Sequence, residues 1–463
     1  MSNKYFGTDG FRGEVGVELT SLQAYRVGRF LGWYYSAWLS GCERVGYRPR
    51  IVIGKDTRRS SYTLEYAMAS GITASGADAY MLHVTTTPSV SYVTVQDGFD
   101  CGIMITASHN RFCDNGIKIV NRYGEKLDEA TVSLIEQYID GEVDDFELDG
   151  DIPLATGEGI GRIVDYVAGR NRYIAYLISL ASHSYKHLRI GLDCANGAAW
   201  SIASALFGAL GARVFTIGTE PDGTNVNDGC GSTKIERLCA LVKKEHLDVG
   251  FAFDGDGDRC IAVDENGRVV DGDGILYILA GRLRSRGMLE GDTVICTVMS
   301  NAGLVHSLAN LGVRCVETTV GDRFVYEKMQ EGSYALGGEQ SGHIIVRKYA
   351  TTGDGLLTAL MLTEQMCDTK AKLSALCEGL SLFSQFHINL RVLDRDGAMS
   401  DGAVIAALED ARRELGERGR VLLRKSGTEP LLRIMVESEE DGKSQAIAER
   451  IYQTIVDGGY AVE

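Results

Sequence analysis

The run Asp254-Gly-Asp-Gly-Asp258-Arg259 places three carboxylates at alternate positions, spaced by glycines and preceded by the apolar stretch Val249-Gly-Phe-Ala-Phe253. It reads as a strand ending in a tight loop that aims three anionic side chains at one spot. Bare carboxylates so close repel one another, so a cation is expected among Asp254, Asp256 and Asp258. Oxygen ligands with no His or Cys nearby favour Mg²⁺ or Ca²⁺ over zinc or copper. Counted from Asp254, acids fall at the first, third and fifth places and Glu265 at the twelfth, as in an EF-hand. Two features oppose calcium. Arg259 takes the place where the sharp turn needs glycine, and Cys260-Ile-Ala-Val263 reads as a second strand where an EF-hand needs a helix. Mg²⁺ is expected instead. It keeps coordination places for phosphate oxygens, so the loop points to phosphoryl chemistry.

Four other loops carry reactive groups. Gly102-Ile-Met-Ile-Thr106 reads as a strand followed by Ala107-Ser108-His109-Asn110 and then Asp114-Asn-Gly-Ile-Lys118. Ser108 at a strand exit is a candidate nucleophile or phosphoryl carrier, with Lys118 or His109 as the activating base. Taken alone, Ser-His-Asn reads first as a turn or a capping sequence. Gly337-Gly-Glu-Gln-Ser-Gly-His343 sets Glu339 and Ser341 between glycines, a pairing suited to vicinal sugar hydroxyls. Arg424-Lys-Ser426-Gly427-Thr428-Glu-Pro430, followed by Arg433, gathers cations, hydroxyls and backbone N–H groups on one turn, which suits phosphate better than a solvated basic turn would. Gly7-Thr-Asp-Gly-Phe-Arg12-Gly13 is a glycine-rich turn carrying Arg12, and Lys55-Asp-Thr-Arg58-Arg59 reads as a charged loop edge with a structural role.

The elements that must position these loops repeat along the chain. Arg50-Ile-Val-Ile-Gly54, a polar loop, a helix and Gly76-Ala-Asp-Ala-Tyr80 form one strand–loop–helix–strand unit. Leu188-Arg-Ile-Gly-Leu192 to Gly211-Ala-Arg-Val-Phe215 forms a second, and Thr293-Val-Ile-Cys-Thr297 to Leu311-Gly-Val-Arg-Cys315 a third. This is the grammar of parallel α/β layers, and three echoes imply three similar α/β domains. The acidic, glycine-rich stretch Gly141 to Gly161 reads as a linker. After Ser381-Leu-Phe-Ser384 the pattern becomes strand (387–392), helix (403–414), strands (421–423 and 432–437) and helix (443–455), a smaller α+β domain.

At 463 residues the chain exceeds one ordinary core. Its 44% hydrophobic and 24% charged content is that of a globular protein, no apolar run reaches membrane-spanning length, and no h-region follows Lys4. A net charge of −16 argues against nucleic acid and anionic membranes as partners, and requires local basic clusters for any phosphate substrate. The eleven cysteines are scattered without a CxxC pair, which predicts reduced thiols and a cytoplasmic location.

Taken in order, FGTDGFRG from Phe6, TASHN from Thr106, DGDGDR from Asp254, GEQSGH from Gly338 and RKSGTEP from Arg424 resemble the α-D-phosphohexomutase superfamily from end to end. The doubled glycine at Gly337 and the run Val320-Gly-Asp-Arg323 resemble its bacterial phosphoglucosamine mutase branch. The phosphomannomutase/phosphoglucomutase branch tends to have Met at the place of Gln340 and His at that of Asp322. Arg111 and Phe11 depart from the usual Pro and Ile. The resemblance implies an α/β fold of four domains, three similar mixed units plus a smaller α+β C-terminal domain, around a central cleft, with boundaries expected at 1–155, 156–258, 259–382 and 383–463. It implies that Ser108 carries a phosphoryl group and, with Asp254, Asp256 and Asp258, holds one Mg²⁺ per subunit. Arg12, Lys118, His109 and Arg259 would surround the reacting group. Glu339, Ser341 and His343 would hold the sugar, and Arg424, Ser426, Gly427, Thr428 and Arg433 the non-reacting phosphate. The implied reaction converts glucosamine 6-phosphate to glucosamine 1-phosphate through a 1,6-bisphosphate, with sugar 1,6-bisphosphate as primer. The expected partner is a phosphorylated hexosamine, with a homodimer left open. The alternatives are a phosphomannomutase or phosphoglucomutase, and a non-catalytic sugar-phosphate binder. Retention of Ser108 and all three aspartates disfavours the binder.

Overall fold

The computed structural model describes residues 4–7, 9–38, 47–142, 150–425, 431–440 and 442–461. The chain forms two compact units, Met1–Val298 with Val316–Glu378, and Met299–Cys315 with Gly379–Glu463.

The first unit opens with a seven-stranded sheet. Its strands are Phe6–Gly7 (β1), Gly10–Glu14 (β2), Arg50–Lys55 (β3), Asp78–Val84 (β4), Cys101–Ile105 (β5), Asp114–Asn121 (β6) and Ile163–Asp165 (β7), in the order β1-β2-β6-β5-β3-β4-β7. The central strands β3 and β5 are apolar and buried almost throughout, as expected where both faces are covered. The helix Ser21–Trp33 starts at a capping box, in which the Thr20 hydroxyl accepts from Gln23 N at 3.2 Å and the Gln23 side chain accepts from Thr20 N at 2.7 Å. It packs on the helix Arg59–Ala74 through glycines: a Cβ on Gly71 would lie 2.2 Å from Tyr25 O, and one on Gly28 2.3 Å from Met68 O.

The second sheet consists of Arg189–Asp193 (β8), Arg213–Ile217 (β9), Val249–Phe253 (β10), Cys260–Asp264 (β11) and Val269–Val270 (β12), ordered β12-β11-β10-β8-β9. The pairs β3–β4 and β8–β9 are parallel across their helices, as the repeat requires. Strands Thr293–Thr297 (β13) and Arg314–Thr318 (β14) flank the helix Ala302–Asn310 in the third repeat. The last residues of β14 run beside β13, where Val298 N donates to Thr318 O at 2.9 Å. β13 pairs in parallel with Leu336–Gly338 (β15), and β15 turns back antiparallel into Ile344–Val346 (β16).

In the second unit an antiparallel sheet, ordered β17-β19-β18, comprises Ser384–Arg391 (β17), Gly419–Lys425 (β18) and Leu431–Ser438 (β19). Helices Gly402–Leu415 and Lys443–Asp457 cover it, enclosing Leu408, Leu432, Ile434, Ile447 and Ile451. The elements expected from periodicity lie within a few residues of these bounds.

Cys101, Cys113, Cys194, Cys230, Cys239, Cys260, Cys367 and Cys377 are free thiols. Of the linker read at 141–161, residues 143–149 lie outside the described residues. Among the described residues no helix is long and apolar enough to cross a membrane.

Because the Gly71 contact is backbone against backbone, the helix pair has no slack for a methyl group. Gly71→Ala is expected to destabilise the first unit by about 1–3 kcal/mol, read as a lower urea midpoint with an unchanged slope.

Candidate active site

The register of β10 on β11, with Phe253 opposite Cys260, makes residues 254–259 the tip of a hairpin. The loop backbone is pinned from three sides. Ala198 N donates to Gly255 O at 2.7 Å, Thr87 N to Asp256 O at 2.9 Å and Gly355 N to Gly257 O at 3.1 Å. Gly257 takes a left-handed φ of 70°. Asp254, Asp256 and Asp258 are all buried, and one oxygen from each lies within 4.8 Å of the others. At such separations each pair of ionised carboxylates repels by about 4 kcal/mol at an effective dielectric of 20, so three anions do not persist here uncompensated.

The compensation is visible. Lys118 Nζ donates to Asp256 Oδ2 at 2.7 Å and to Asp258 Oδ2 at 2.9 Å. Arg259 Nε stands 4.0 Å from both Asp254 and Asp258. Burial, then Asp258 and Asp256, push Asp254 well above the usual carboxylate range. Burial works in the same direction on Asp258, but Lys118, His343 and Arg259 hold it well below that range. Two buried oxygens, Asp256 Oδ1 and Asp258 Oδ1, accept no hydrogen bond. Hard anionic oxygens that converge and lack donors fit a small divalent cation such as Mg²⁺.

Ser108 faces this cluster. Its Oγ donates to Asp254 Oδ2 at 2.6 Å and stands 3.4 Å from His109 Nδ1. The residue is buried and takes a φ of 50°, a left-handed conformation that costs a non-glycine residue about 1–3 kcal/mol and persists only where its surroundings over-determine it.

The antiparallel pairing of β5 and β6 sets Lys118 opposite Met104, near the end of β5 from which the chain runs into the Ser108 loop. Burial opposes the Lys118 charge, but Asp256 and Asp258 more than offset it and hold the ammonium far above its usual pKa. Lys118 is therefore a cation here. His109 is the reverse: burial first, then Arg259 and Arg12, lower it to about 4, so its ring is neutral at neutral pH. Arg12, opposite Gly116 across β2 and β6, pairs with Asp9 at 3.2 Å.

The loop between β15 and β16 is bound to the metal hairpin. Cys260 N donates to Gly342 O and Gly272 N to Gln340 O, each at 3.0 Å. Glu339 accepts from Gly321 N at 3.1 Å, and burial raises its pKa. Ser341 is exposed. His343 is buried, with Asp258 3.7 Å from Nδ1 and Asp322 3.6 Å from Nε2. Against burial, Asp258, Asp322 and Glu339 favour its protonated form. Gly353 N, however, donates to Nε2 at 3.0 Å, a bond that needs a ring lone pair. The neutral ring with its proton on Nδ1, toward Asp258, satisfies both contacts. Asp322 accepts from Lys126 Nζ at 2.6 Å. A cavity of about 320 Å³ lies against Lys118, Asp258, Asp322, Arg323, Lys126 and Tyr326.

In the second unit Arg424 and Arg433 face each other directly across β18 and β19, both half-buried. Ser426, Gly427 and Thr428 lie outside the described residues.

Sequence reasoning missed three supporting residues. Thr87 donates to Asp256 Oδ2 at 2.5 Å. Arg58 and Asn227 lie beneath the Ser108 loop and donate to its carbonyls. Thr87 and Asn227 carry no local signal. Arg58 stood in a charged run whose burial only tertiary structure reveals.

The depressed His109 pKa has a sign that can be checked. The folded state binds fewer protons than the unfolded one between about 4 and the ordinary 6.5. The stabilisation is complete above that window and is lost as pH falls through it. The parent should lose more stability than His109→Gln on acidification across the window, measured by urea midpoints. Equal losses would contradict the neutral buried ring.

Four family models cover the chain. Those described as phosphoglucomutase/phosphomannomutase alpha/beta/alpha domains I, II and III match residues 3–145, 171–267 and 271–383, and the C-terminal domain of the same family matches 388–454. A phosphoglucosamine mutase of Lachnospira eligens is 54% identical over 459 residues, 99% of this chain and 100% of its own. A phosphoglucomutase/phosphomannomutase family protein from Burkholderia thailandensis superposes with a TM-score of 0.78 at 24% identity, covering 99% of this chain and 98% of its own. The N-acetylphosphoglucosamine mutase of Aspergillus fumigatus, solved with GlcNAc-6P and magnesium, superposes at 0.69 with 17% identity, covering 99% and 96%. The chain belongs to the phosphoglucomutase/phosphomannomutase family of α-D-phosphohexomutases.

Proposed function

We propose that the chain interconverts glucosamine 6-phosphate and glucosamine 1-phosphate, with Ser108 as phosphoryl carrier. The observation that carries this reading is the Ser108 hydroxyl donating at 2.6 Å into a buried triad of carboxylates. The full-length identity to a phosphoglucosamine mutase supports the hexosamine substrate. Four domains, at 1–155, 156–258, 259–382 and 383–463, are the proposed division of labour.

Asp254, Asp256 and Asp258, with an oxygen of phosphorylated Ser108, would hold Mg²⁺. Bound there, the ion would supply positive charge to the oxygens of the transferring group. The chain's own residues supply the rest. Phosphoryl transfer needs positioning and charge stabilisation more than covalent help. Arg12, Lys118 and Arg259 provide fixed cations around Ser108. Of the two candidate bases, His109 is a neutral ring at neutral pH, while Lys118 is an ammonium. Glu339 and Ser341 would take vicinal sugar hydroxyls. His343, buried behind them, would orient Asp258 through Nδ1. Arg424 and Arg433, with Ser426, Gly427 and Thr428, would grip the phosphate that is not reacting. The phosphate of Ser108 passes to O1 of the sugar, and the 6-phosphate of the resulting 1,6-bisphosphate returns to Ser108. The serine is then restored and glucosamine 1-phosphate leaves. A trace of sugar 1,6-bisphosphate would prime an unphosphorylated chain.

Initial rates with Mg²⁺ and primer, taken side by side on glucosamine, glucose and mannose phosphates, test the substrate. The highest kcat/KM is expected for glucosamine phosphate, and a preference for mannose or glucose phosphate would contradict the assignment. Ser108→Ala should abolish turnover and leave sugar-phosphate binding by calorimetry within a few-fold; near-parental turnover would remove its role. Arg433→Ala should raise KM by about tenfold or more, the loss of one charge-assisted phosphate contact, and an unchanged KM would place the distal phosphate elsewhere.

A further inference from the structure

Ser108 is held in its left-handed conformation by a clamp made of two side chains from different sheets' loops. Arg58 follows β3 and is fully buried. Its Nε donates to Asp56 Oδ2 at 2.7 Å and its own N–H to Asp56 Oδ1 at 3.0 Å. The far end of the guanidinium spends its donors on backbone. Nη2 reaches Ser108 O at 2.9 Å and Asn110 O at 3.0 Å, and Nη1 reaches Asp114 O at 3.0 Å and Arg111 O. Asn227, from the loop after β9, donates its Nδ2 to the same two carbonyls, Ser108 O at 2.9 Å and Asn110 O at 3.1 Å. Asn227 is fixed in turn, with a φ of 58° and its N–H on Ala195 O at 2.8 Å.

The amide side of Ser108 is tied to the same ion pair. Ser108 N donates to Thr106 Oγ1 at 2.9 Å, and that hydroxyl donates to Asp56 Oδ2 at 2.8 Å. Both ends of the residue therefore end on Asp56 and Arg58. The clamped carbonyl also abuts the metal hairpin: a Cβ on Gly255 would lie 2.4 Å from Ser108 O. A shift of this carbonyl would be felt at the Ser108–Asp254 contact.

We propose that Arg58 and Asn227 are positioning residues for phosphoryl transfer, which orient Ser108 by holding its carbonyl and do not touch substrate. The proposal rests on Ser108 being the phosphoryl carrier. A buried ion pair is a weak source of net stability, since apolar replacements are often as stable. What the planar guanidinium supplies is a fork of donors in fixed directions, which lysine lacks. Displacement of a reacting group by about 1 Å can cost up to a hundredfold in rate.

The experiment compares Arg58→Lys, Asn227→Ala and the double variant with the parent, in thermal midpoint, in kcat and KM for glucosamine 6-phosphate, and in the single-turnover rate at which sugar 1,6-bisphosphate phosphorylates Ser108. The expected result is a fall of about ten- to a hundredfold in kcat and in the single-turnover rate, with KM nearly unchanged and folded protein retained. The double variant should lose less than the product of the single losses, because both side chains serve the same two carbonyls. Folded variants with parental kcat overturn the proposal. So does a loss of activity that only tracks the unfolded fraction. If Arg58→Lys does not fold, Asn227→Ala, half-buried in a loop, decides alone. A parent that neither turns over nor gains phosphate on Ser108 overturns the functional reading and this proposal with it, whereas an active parent with unimpaired variants overturns this proposal alone.

Discussion

The constraint on which the site depends is the crowding of three carboxylates in a buried hairpin tip. Their mutual repulsion is large beside the net stability of a protein, so their surroundings are organised to offset it. Lys118 bridges Asp256 and Asp258, Arg259 stands over Asp254 and Asp258, and the Ser108 hydroxyl donates to Asp254. The same features that make the cluster tolerable make it chemically useful. A site that must bind positive charge favours a divalent cation, and a serine held against it by a hydrogen bond is placed to bear a phosphoryl group. Burial and the neighbouring Asp258 and Asp256 raise the Asp254 pKa for the same reason.

Rigidity around the cluster comes from backbone, not from bulky side chains. Each carbonyl from Gly255 to Gly257 accepts an N–H from a different part of the first unit. The close approaches require glycine. A Cβ on Gly197 would lie 2.4 Å from Gly255 O, one on Gly355 2.3 Å from Arg259 O, and one on Gly272 2.0 Å from Glu339 O. The Ser108 loop, the aspartate hairpin and the loop between β15 and β16 are thus fastened to one another within one unit, so the distances between them are set by the fold.

Much of this was legible in the sequence, for a physical reason. The aspartate hairpin, the repeated strand–helix–strand units and the C-terminal α+β pattern are local, and local periodicity specifies them. What depends on pairing across the chain was not legible. Lys118 read as a candidate base, because its two carboxylate partners are more than a hundred residues away; those carboxylates hold it as a cation against burial. His343 read as a sugar ligand, but the chain folds it behind the surface between Asp258 and Asp322. Arg58 read as a loop edge and is among the most buried side chains.

The most direct test of the central claim is phosphopeptide mass spectrometry of the parent after incubation with Mg²⁺ and glucose 1,6-bisphosphate, followed by a chase with glucosamine 6-phosphate. The account predicts one phosphoryl group on the peptide carrying Ser108, which the chase transfers to sugar. Turnover of glucosamine phosphate by a protein whose Ser108 never carries phosphate would contradict it.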